Sequence, residues 1–420
     1  MAPALRSSRV DPNSALKDGT RSVGTRRGGM LSSILVVAQL ALTLVLLTGA
    51  GVFARAFIAA QALNPFLPAD HLILGGVYLP QEQYKDAGAH TRFWDQLLAR
   101  IRSIPGATQT ALSSSRPETG AGSRRIEIED HPLADPLRGP LASFLVNSPG
   151  YFATINLPML RGRDFNQTDG APGRECAVVT REFAARFWPN REPAGKRFRF
   201  YSNGKYGPWL SVIGVSGDMV QQANSPAPDP LVFVPYRQEG NAGMTVLLRS
   251  SGNPAPLAAA MRAAVESLDR GLPVTAVRTA ADEIYRDQWY LRLFGGLFLV
   301  FALIGLMIAA LGTYAMIAQA TARRTQEIGV RMALGASPRN ILGLIISRGV
   351  KQLLAGLLIG LAAAYPAARV MAALPLPASA SDPSLFAAIS LILIVVGLFA
   401  CWIPARRASA LNPVHAIRYE

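Results

Sequence analysis

The sequence predicts an α-helical membrane protein. Four transmembrane helices, arranged one plus three, carry a large α+β extracytoplasmic domain inserted between helices 1 and 2. Three observations predict it. The 420-residue chain is half apolar and only 16% charged, where globular chains run at roughly 25%. The deficit is concentrated in four stretches free of Asp, Glu, Lys, Arg and His, at 31–54, 293–322, 352–368 and 384–405. A polar, turn-rich segment, residues 64–285, separates the first from the second.

Each uncharged stretch is near the roughly 20 residues a helix needs to cross the hydrocarbon of a bilayer. Four such runs exceed what a soluble core uses. The first is too long for the apolar part of a signal peptide and follows the polar stretch 1–30. Lys and Arg in short loops orient the helices. Arg6, Arg9, Lys17, Arg21, Arg26 and Arg27 precede the first span. Arg323, Arg324, Arg331, Arg339, Arg348 and Lys351 lie between the second and third, and Arg406, Arg407 and Arg418 follow the fourth. The 374–383 turn has no basic residue. Both termini and the 319–351 segment are therefore expected on the cytoplasmic side of the membrane, and the 64–285 segment outside. The net charge of +15 sits largely in those cytoplasmic pieces, so it argues for lipid headgroups and against nucleic acid.

The spans hold no Asp, Glu, Lys or His, which argues against an ion-coupled carrier or a channel. Gly356 and Gly360 form a GxxxG that lets helices approach closely, within the chain or with another subunit. Pro366 is expected to kink the third span or end its regular part.

In the segment 64–285, helical spacing of apolar residues predicts helices over 86–103 and 256–268, each followed by a turn and a strand (108–112 and 274–277). Between these units short strands are expected at 125–128, 141–147, 176–179, 197–201, 210–215, 231–234 and 245–249. The domain thus reads as a helix-rich base with a strand-rich insertion. It contains no GxSxG, no HExxH and no cysteine with a positioned histidine. Asp169, Asp218 and Asp229 lie beside Gly or Pro and read as turn acids; Arg161-Gly162-Arg163-Asp164 reads as a turn with a local Arg–Asp pair. Cys176 and Cys401 are too few for a disulfide framework or a multi-cysteine metal site. The chain is read as binding or mechanical, not as an enzyme.

Between the second and third spans the chain reads ARRTQEIGVRMALGASPRNI. Ile328, Met332 and Leu334 give one apolar side of a short helix; Arg323, Glu327 and Arg331 give a charged side. Gly335 stops it, and Ser337-Pro338 starts the next helix. This QEIGVRMALGA loop resembles the signature loop of MacB/FtsX-type ABC transporter permeases. The ending resembles the family's tail, in Pro404-Ala405-Arg406-Arg407-Ala408 and Asn412-Pro413-Val414-His415-Ala416-Ile417-Arg418-Tyr419-Glu420. So do Ser148-Pro149-Gly150-Tyr151-Phe152 and Leu160-Arg161-Gly162-Arg163-Asp164-Phe165 in the outer domain, which is similar to the family's periplasmic core domain with porter and sabre parts.

The resemblance implies a plan: cytoplasmic segment and linker 1–30, first span and extension 31–63, periplasmic core domain 64–285, and FtsX-like permease domain 286–420 with coupling loop 319–351 and tail 405–420. It implies that Arg323, Arg324, Glu327, Ile328, Gly329, Arg331, Met332 and Gly335 dock on an ABC ATP-binding subunit. It implies a second permease unit and a periplasmic adaptor or substrate protein as partners. The chain has no GxxxxGK[ST] loop, so no cofactor is expected on it and ATP belongs to the partner. Residues 3–17 also match 404–418 at one constant offset, through Pro3/Pro404, Ala4/Ala405, Arg6/Arg407, Ser8/Ser409, Pro12/Pro413 and Ala15/Ala416. That resembles the second half of a duplicated orphan permease, with 18–29 as a flexible linker. The expected function is a permease that couples ATP hydrolysis elsewhere to movement of its periplasmic domain. The alternative is a non-transporting FtsX-like protein that signals to a periplasmic enzyme or partner. A sensor lacks a cytoplasmic output domain here, and a membrane-bound enzyme lacks a site.

Overall fold

The computed structural model describes residues 23–61, 63–132, 135–221, 230–322, 337–372 and 382–409. These fall into two compact units. A helical unit runs to Phe53 and resumes at Phe294; an α+β unit is Ala54–Leu293.

The chain begins with α1 (Val23–Gln61), then β1 (Leu72–Tyr78), α2 (Ala87–Arg102), β2 (Ala107–Ser113), β3 (Gly122–Ile128) and β4 (Leu141–Asn147). There follow α3 (Tyr151–Ile155), β5 (Met159–Gly162), β6 (Cys176–Thr180), α4 (Arg181–Phe187), β7 (Arg197–Ser202), β8 (Lys205–Tyr206) and β9 (Leu210–Ser216). Next come β10 (Leu231–Pro235), α5 (Tyr236–Glu239), β11 (Gly243–Ser250), α6 (Ala255–Glu266), β12 (Thr275–Thr279) and α7 (Ala280–Asp287). The last three are α8 (Trp289–Ala322), α9 (Pro338–Ala372) and α10 (Pro383–Ser409).

The α+β unit has two parts. One is a four-stranded antiparallel sheet, β12-β1-β11-β2. Helices α2 and α6 cover one face of it. Asp86 caps α2 by accepting from Ala89 N, and Trp94, Leu97 and Ile101 turn inward at helical spacing. Leu257, Met261 and Val265 do the same on α6. Gly75 lets Met261 lie directly on β1: a side chain there would collide with the Met261 sulfur. The second part is the strand-rich insertion, and it closes on itself. Its order β10-β6-β9-β7-β3-β4 returns to β10 through a parallel β4–β10 pairing. A ring of this kind leaves no unpaired rim. Phe183 and Trp188, from α4 and its end, pack as aromatic rings against one another and against Phe198 of β7.

The strand pairing between sheet and ring runs through Ser113↔Asn147, flanked by backbone bonds from Ser114 N to Val146 O (2.7 Å) and from Ser148 N to Leu112 O (2.9 Å). Serine hydroxyls stitch the seam: Leu112 N donates to Ser148 Oγ (2.8 Å) and Val146 N to Ser114 Oγ (2.9 Å).

Among the described residues four helices, α1, α8, α9 and α10, are long and apolar enough to cross a membrane, with mean hydropathy of 1.7 to 2.7. All extend beyond the uncharged stretches that mark them in sequence. Ser337 precedes α9 and accepts from Asn340 N, with Pro338 at the first helical position, as the sequence predicts. Pro366 lies inside α9, and the helix continues to Ala372 instead of ending there. Two further expectations are corrected. Residues 159–162 form β5, not a turn, and the Arg163 partner is Asp169 (Nη2–Oδ1 3.0 Å), not Asp164. Asp164 instead accepts from Gly150 N (3.1 Å) and Phe165 N (2.6 Å), a backbone clamp that needs no cation. Asp229 lies outside the described residues.

Candidate functional site

The eight residues expected to dock on an ATPase, Arg323, Arg324, Glu327, Ile328, Gly329, Arg331, Met332 and Gly335, lie outside the described residues. So do the 3–17 repeat and the tail from 410 onward. Helices α8 and α9 take up both flanks of the 319–351 segment, leaving 323–336 between Ala322 and Ser337.

Gly356 and Gly360 face α1. A Cβ at Gly356 would stand 2.7 Å from Leu40 Cβ, and one at Gly360 would stand 3.1 Å from both Ala41 Cα and Leu44 Cβ. Small residues here set how closely α9 approaches α1. Beside this contact lies a polar knot that the charge pattern does not reveal. Gln352 Nε2 on α9 donates to Ser33 Oγ on α1 (2.9 Å) and to Met316 Sδ on α8 (3.3 Å). One amide thus ties three helices where water is scarce. The signal in sequence was the Gln352 that opens the third uncharged stretch.

The α+β unit holds a cavity of about 320 Å³. Its walls are the last turn of α1, the turn after β2, and α7 with the start of α8. Leu63, Leu67, Leu74 and Ile284 make one side apolar; Arg116, Glu118, Asp287 and Gln288 make the other polar. Several long-range bonds hold the 115–120 turn. Gln221 Nε2 donates to Pro117 O (2.6 Å), and Asn64 bonds Val220 in both directions at 3.0 Å. Arg116 pairs with Glu283 and stands 3.4 Å from Asp287; Arg278 reaches Glu283 at 3.1 Å. Two guanidiniums therefore serve two α7 carboxylates. Glu118 has no ion pair among the described residues. Its burial pushes its carboxyl up to about 7; a hydrogen bond from Asn64 opposes the rise and the Asp287 charge adds to it. Gln288 is 8% exposed, and its Oε1 has no hydrogen-bond partner among the described residues. Sequence reading missed Glu118 and Gln288: one follows a proline in a Ser-rich turn, the other opens an apolar run, and neither sits in a motif.

Among the described residues no group of three or more His, Cys, Asp or Glu could hold a metal ion. Cys176 and Cys401 are free thiols, both buried.

Comparison with known proteins bears on residues 30–264 and 299–413. The MacB-like periplasmic core domain family model matches residues 30–264, and the FtsX-like permease C-terminal model matches 299–413. The macrolide export ATP-binding/permease protein MacB of Marinobacter nauticus is 26% identical over 277 residues, covering 63% of this chain and 41% of that protein. The pyoverdine export ATP-binding/permease protein PvdT of Pseudomonas entomophila is 25% identical over 293 residues, covering 65% and 42%. An ABC transporter permease of Bacillus subtilis, YvrN, is 25% identical over 289 residues, covering 64% and 68%. The chain spans about two fifths of the length of the MacB and PvdT relatives. Among solved structures, the periplasmic region of MacB from Actinobacillus actinomycetemcomitans aligns at 14% identity with a TM-score of 0.34, covering 52% of this chain and 92% of that one. The core-domain model alone takes in more than half of the sequence, the permease model follows it in the expected order, and the chain belongs to the MacB/FtsX-type ABC transporter permeases, as a multi-pass membrane protein with a MacB-like periplasmic domain.

Proposed function

We propose that this chain is the permease half of an ABC-type export machine, in which a separate ATP-binding subunit hydrolyses ATP and this chain converts the stroke into movement of its periplasmic domain. The observation that carries the reading is the continuity of α1. It runs 39 residues without a break, Val23–Gln61. At 1.5 Å per residue that is roughly 58 Å, about twice the hydrocarbon thickness. Its residues up to Phe53 belong to the helical unit and those from Ala54 to the α+β unit. One unbroken helix therefore contributes residues to both units, as a mechanical permease requires. A helix of this length bends gently unless Pro or an inserted side chain breaks it, and α1 contains no proline.

In this reading both termini and the 323–336 loop face the cytoplasm. The loop docks on the ATPase through Glu327 and Met332, supported by its amphipathic pattern and its glycine stop. ATP binds to the partner and not to this chain. A second permease unit completes the assembly. The related macrolide exporter MacB and pyoverdine exporter PvdT supply precedents for cargo.

The test is co-purification. Glu327→Ala combined with Met332→Ala should abolish recovery of the cognate ATP-binding subunit and its stimulated ATP hydrolysis, while the variant chain still reaches the membrane. Undiminished recovery and stimulation would remove the docking assignment. A non-transporting, signalling permease would pass this test; it is distinguished by vesicles loaded with candidate cargo, which would show ATP-dependent release only for an exporter.

A further inference from the structure

We infer that the cavity between the 115–120 turn and α7 binds an amphipathic organic cation, with its ammonium group held by the Glu118 carboxylate and the Gln288 carbonyl and its apolar body against Leu63, Leu67 and Ile284. The inference goes beyond the permease reading and stands without it, because binding is read on this chain alone.

Three observations select the ligand's chemistry. The first is size: a cavity of about 320 Å³ lies at the lower end of the range for small-molecule sites. The second is charge. The titratable and charged groups that line the cavity with Glu118 are Arg116 in its own turn, Glu283 and Asp287 from α7 and Tyr290 from α8, with Arg278 reaching Glu283 from β12. Both arginines are already engaged by the α7 carboxylates. An anionic ligand would meet three carboxylates and, among the described residues that line the cavity, no uncommitted guanidinium. A cationic one meets an unpaired carboxylate. The third is the orphaned Gln288 Oε1, an acceptor that is buried and lines the cavity. A buried acceptor without a donor costs free energy, and an N–H of the ligand would satisfy it. The apolar wall then recovers the hydrocarbon part of the ligand from water.

Glu118 also links binding to protons. With its carboxyl pushed up to about 7 by burial, it is largely ionised near pH 8 and largely neutral near pH 6. An ammonium beside it favours the ionised form, so the cation competes with a proton for one carboxylate.

The experiment uses three probes with one apolar body: 4-phenylbutylamine, 4-phenylbutanol and 4-phenylbutyrate. Their binding to the purified full-length chain in nanodiscs is measured by calorimetry and ligand-observed NMR, with empty nanodiscs as the blank. Near pH 8 the amine should bind at least about tenfold more tightly than the alcohol, with the carboxylate weakest. The margin should shrink near pH 6. Glu118→Gln should erase the margin while leaving alcohol binding within about twofold, and Gln288→Leu should reduce it. Ile284→Trp, which fills the cavity, should weaken all three probes. If Glu118→Gln fails to fold, the wild-type pH series decides alone. Equal binding of the three probes, an amine margin that survives in Glu118→Gln or at pH 6, or no binding at millimolar concentration would overturn the inference. None of these results depends on an ATPase, so they are distinct from failure of the permease reading.

Discussion

Glu118 shows how a residue gains significance that its neighbours in sequence do not announce. Arg116-Pro117-Glu118-Thr119 reads as an ordinary turn. Its environment is assembled from Asn64, Gln221 and Asp287, far apart in the chain, and no local pattern encodes that meeting. The same assembly makes a stability prediction. The folded state holds the Glu118 proton up to about pH 7, whereas the ordinary value is 4.5. The favourable contribution is therefore complete below pH 4.5 and is lost as pH rises through 7. The full loss is of the order of 3 kcal/mol. Glu118→Gln should flatten the fall in thermal stability between those pH values and raise the melting temperature of the purified chain near pH 8. A variant with the wild-type pH slope would show that Glu118 is solvated. Gly162 gives a second residue-scale case. It sits at φ 71°, and an added Cβ would strike Ile213 O across the β5–β9 pairing. Gly162→Ala should cost at least about 2 kcal/mol, read as a lowered unfolding midpoint.

Elements differ in how plainly sequence declares them. The four long helices are legible because lipid removes the option of charge, and an uncharged run of that length has few other uses. Helices α2 and α6 are legible from periodicity, since Leu97 and Ile101, or Leu257, Met261 and Val265, fall on one face. Strand β1 escapes the same reading: its Gly75-Gly76 pair weakens any strand signal, yet Gly75 is there so that α6 can lie against it. Closure of the six-stranded ring escapes too, because the β4–β10 pairing joins residues about ninety positions apart. Packing of α9 on α1 yields a prediction at this scale. Gly356→Leu forces a side chain into Leu40, 2.7 Å from the position of its Cβ. It should destabilise the helical unit by about 1–3 kcal/mol, seen as earlier thermal aggregation in detergent, while the α+β unit keeps its circular-dichroism signal. An unchanged midpoint would mean that the two helices are not packed this closely. Gln352→Leu should cost less, about 0.6 kcal/mol, since interhelical hydrogen bonds in membranes are individually weak.

At the scale of the whole molecule, the order of spans and domain followed from charge placement, and the two family models lie along the chain in that order. Sidedness is a prediction of the same charges. In a background where Cys176 and Cys401 are replaced, Ser379→Cys should react with a membrane-impermeant thiol reagent in intact cells, and Ser337→Cys should react only after permeabilisation. Labelling in the opposite sense would invert the proposed machine. What sequence did not reveal at this scale is that the strand-rich insertion closes into a cylinder of strands. That cylinder has a bearing on recognition. Each of its six staves has a stave on either side, so a visiting polypeptide that lines up as one more strand would meet the outer edges of β5 and β8, which pair only with β9 and β7, and not an edge of the closed ring.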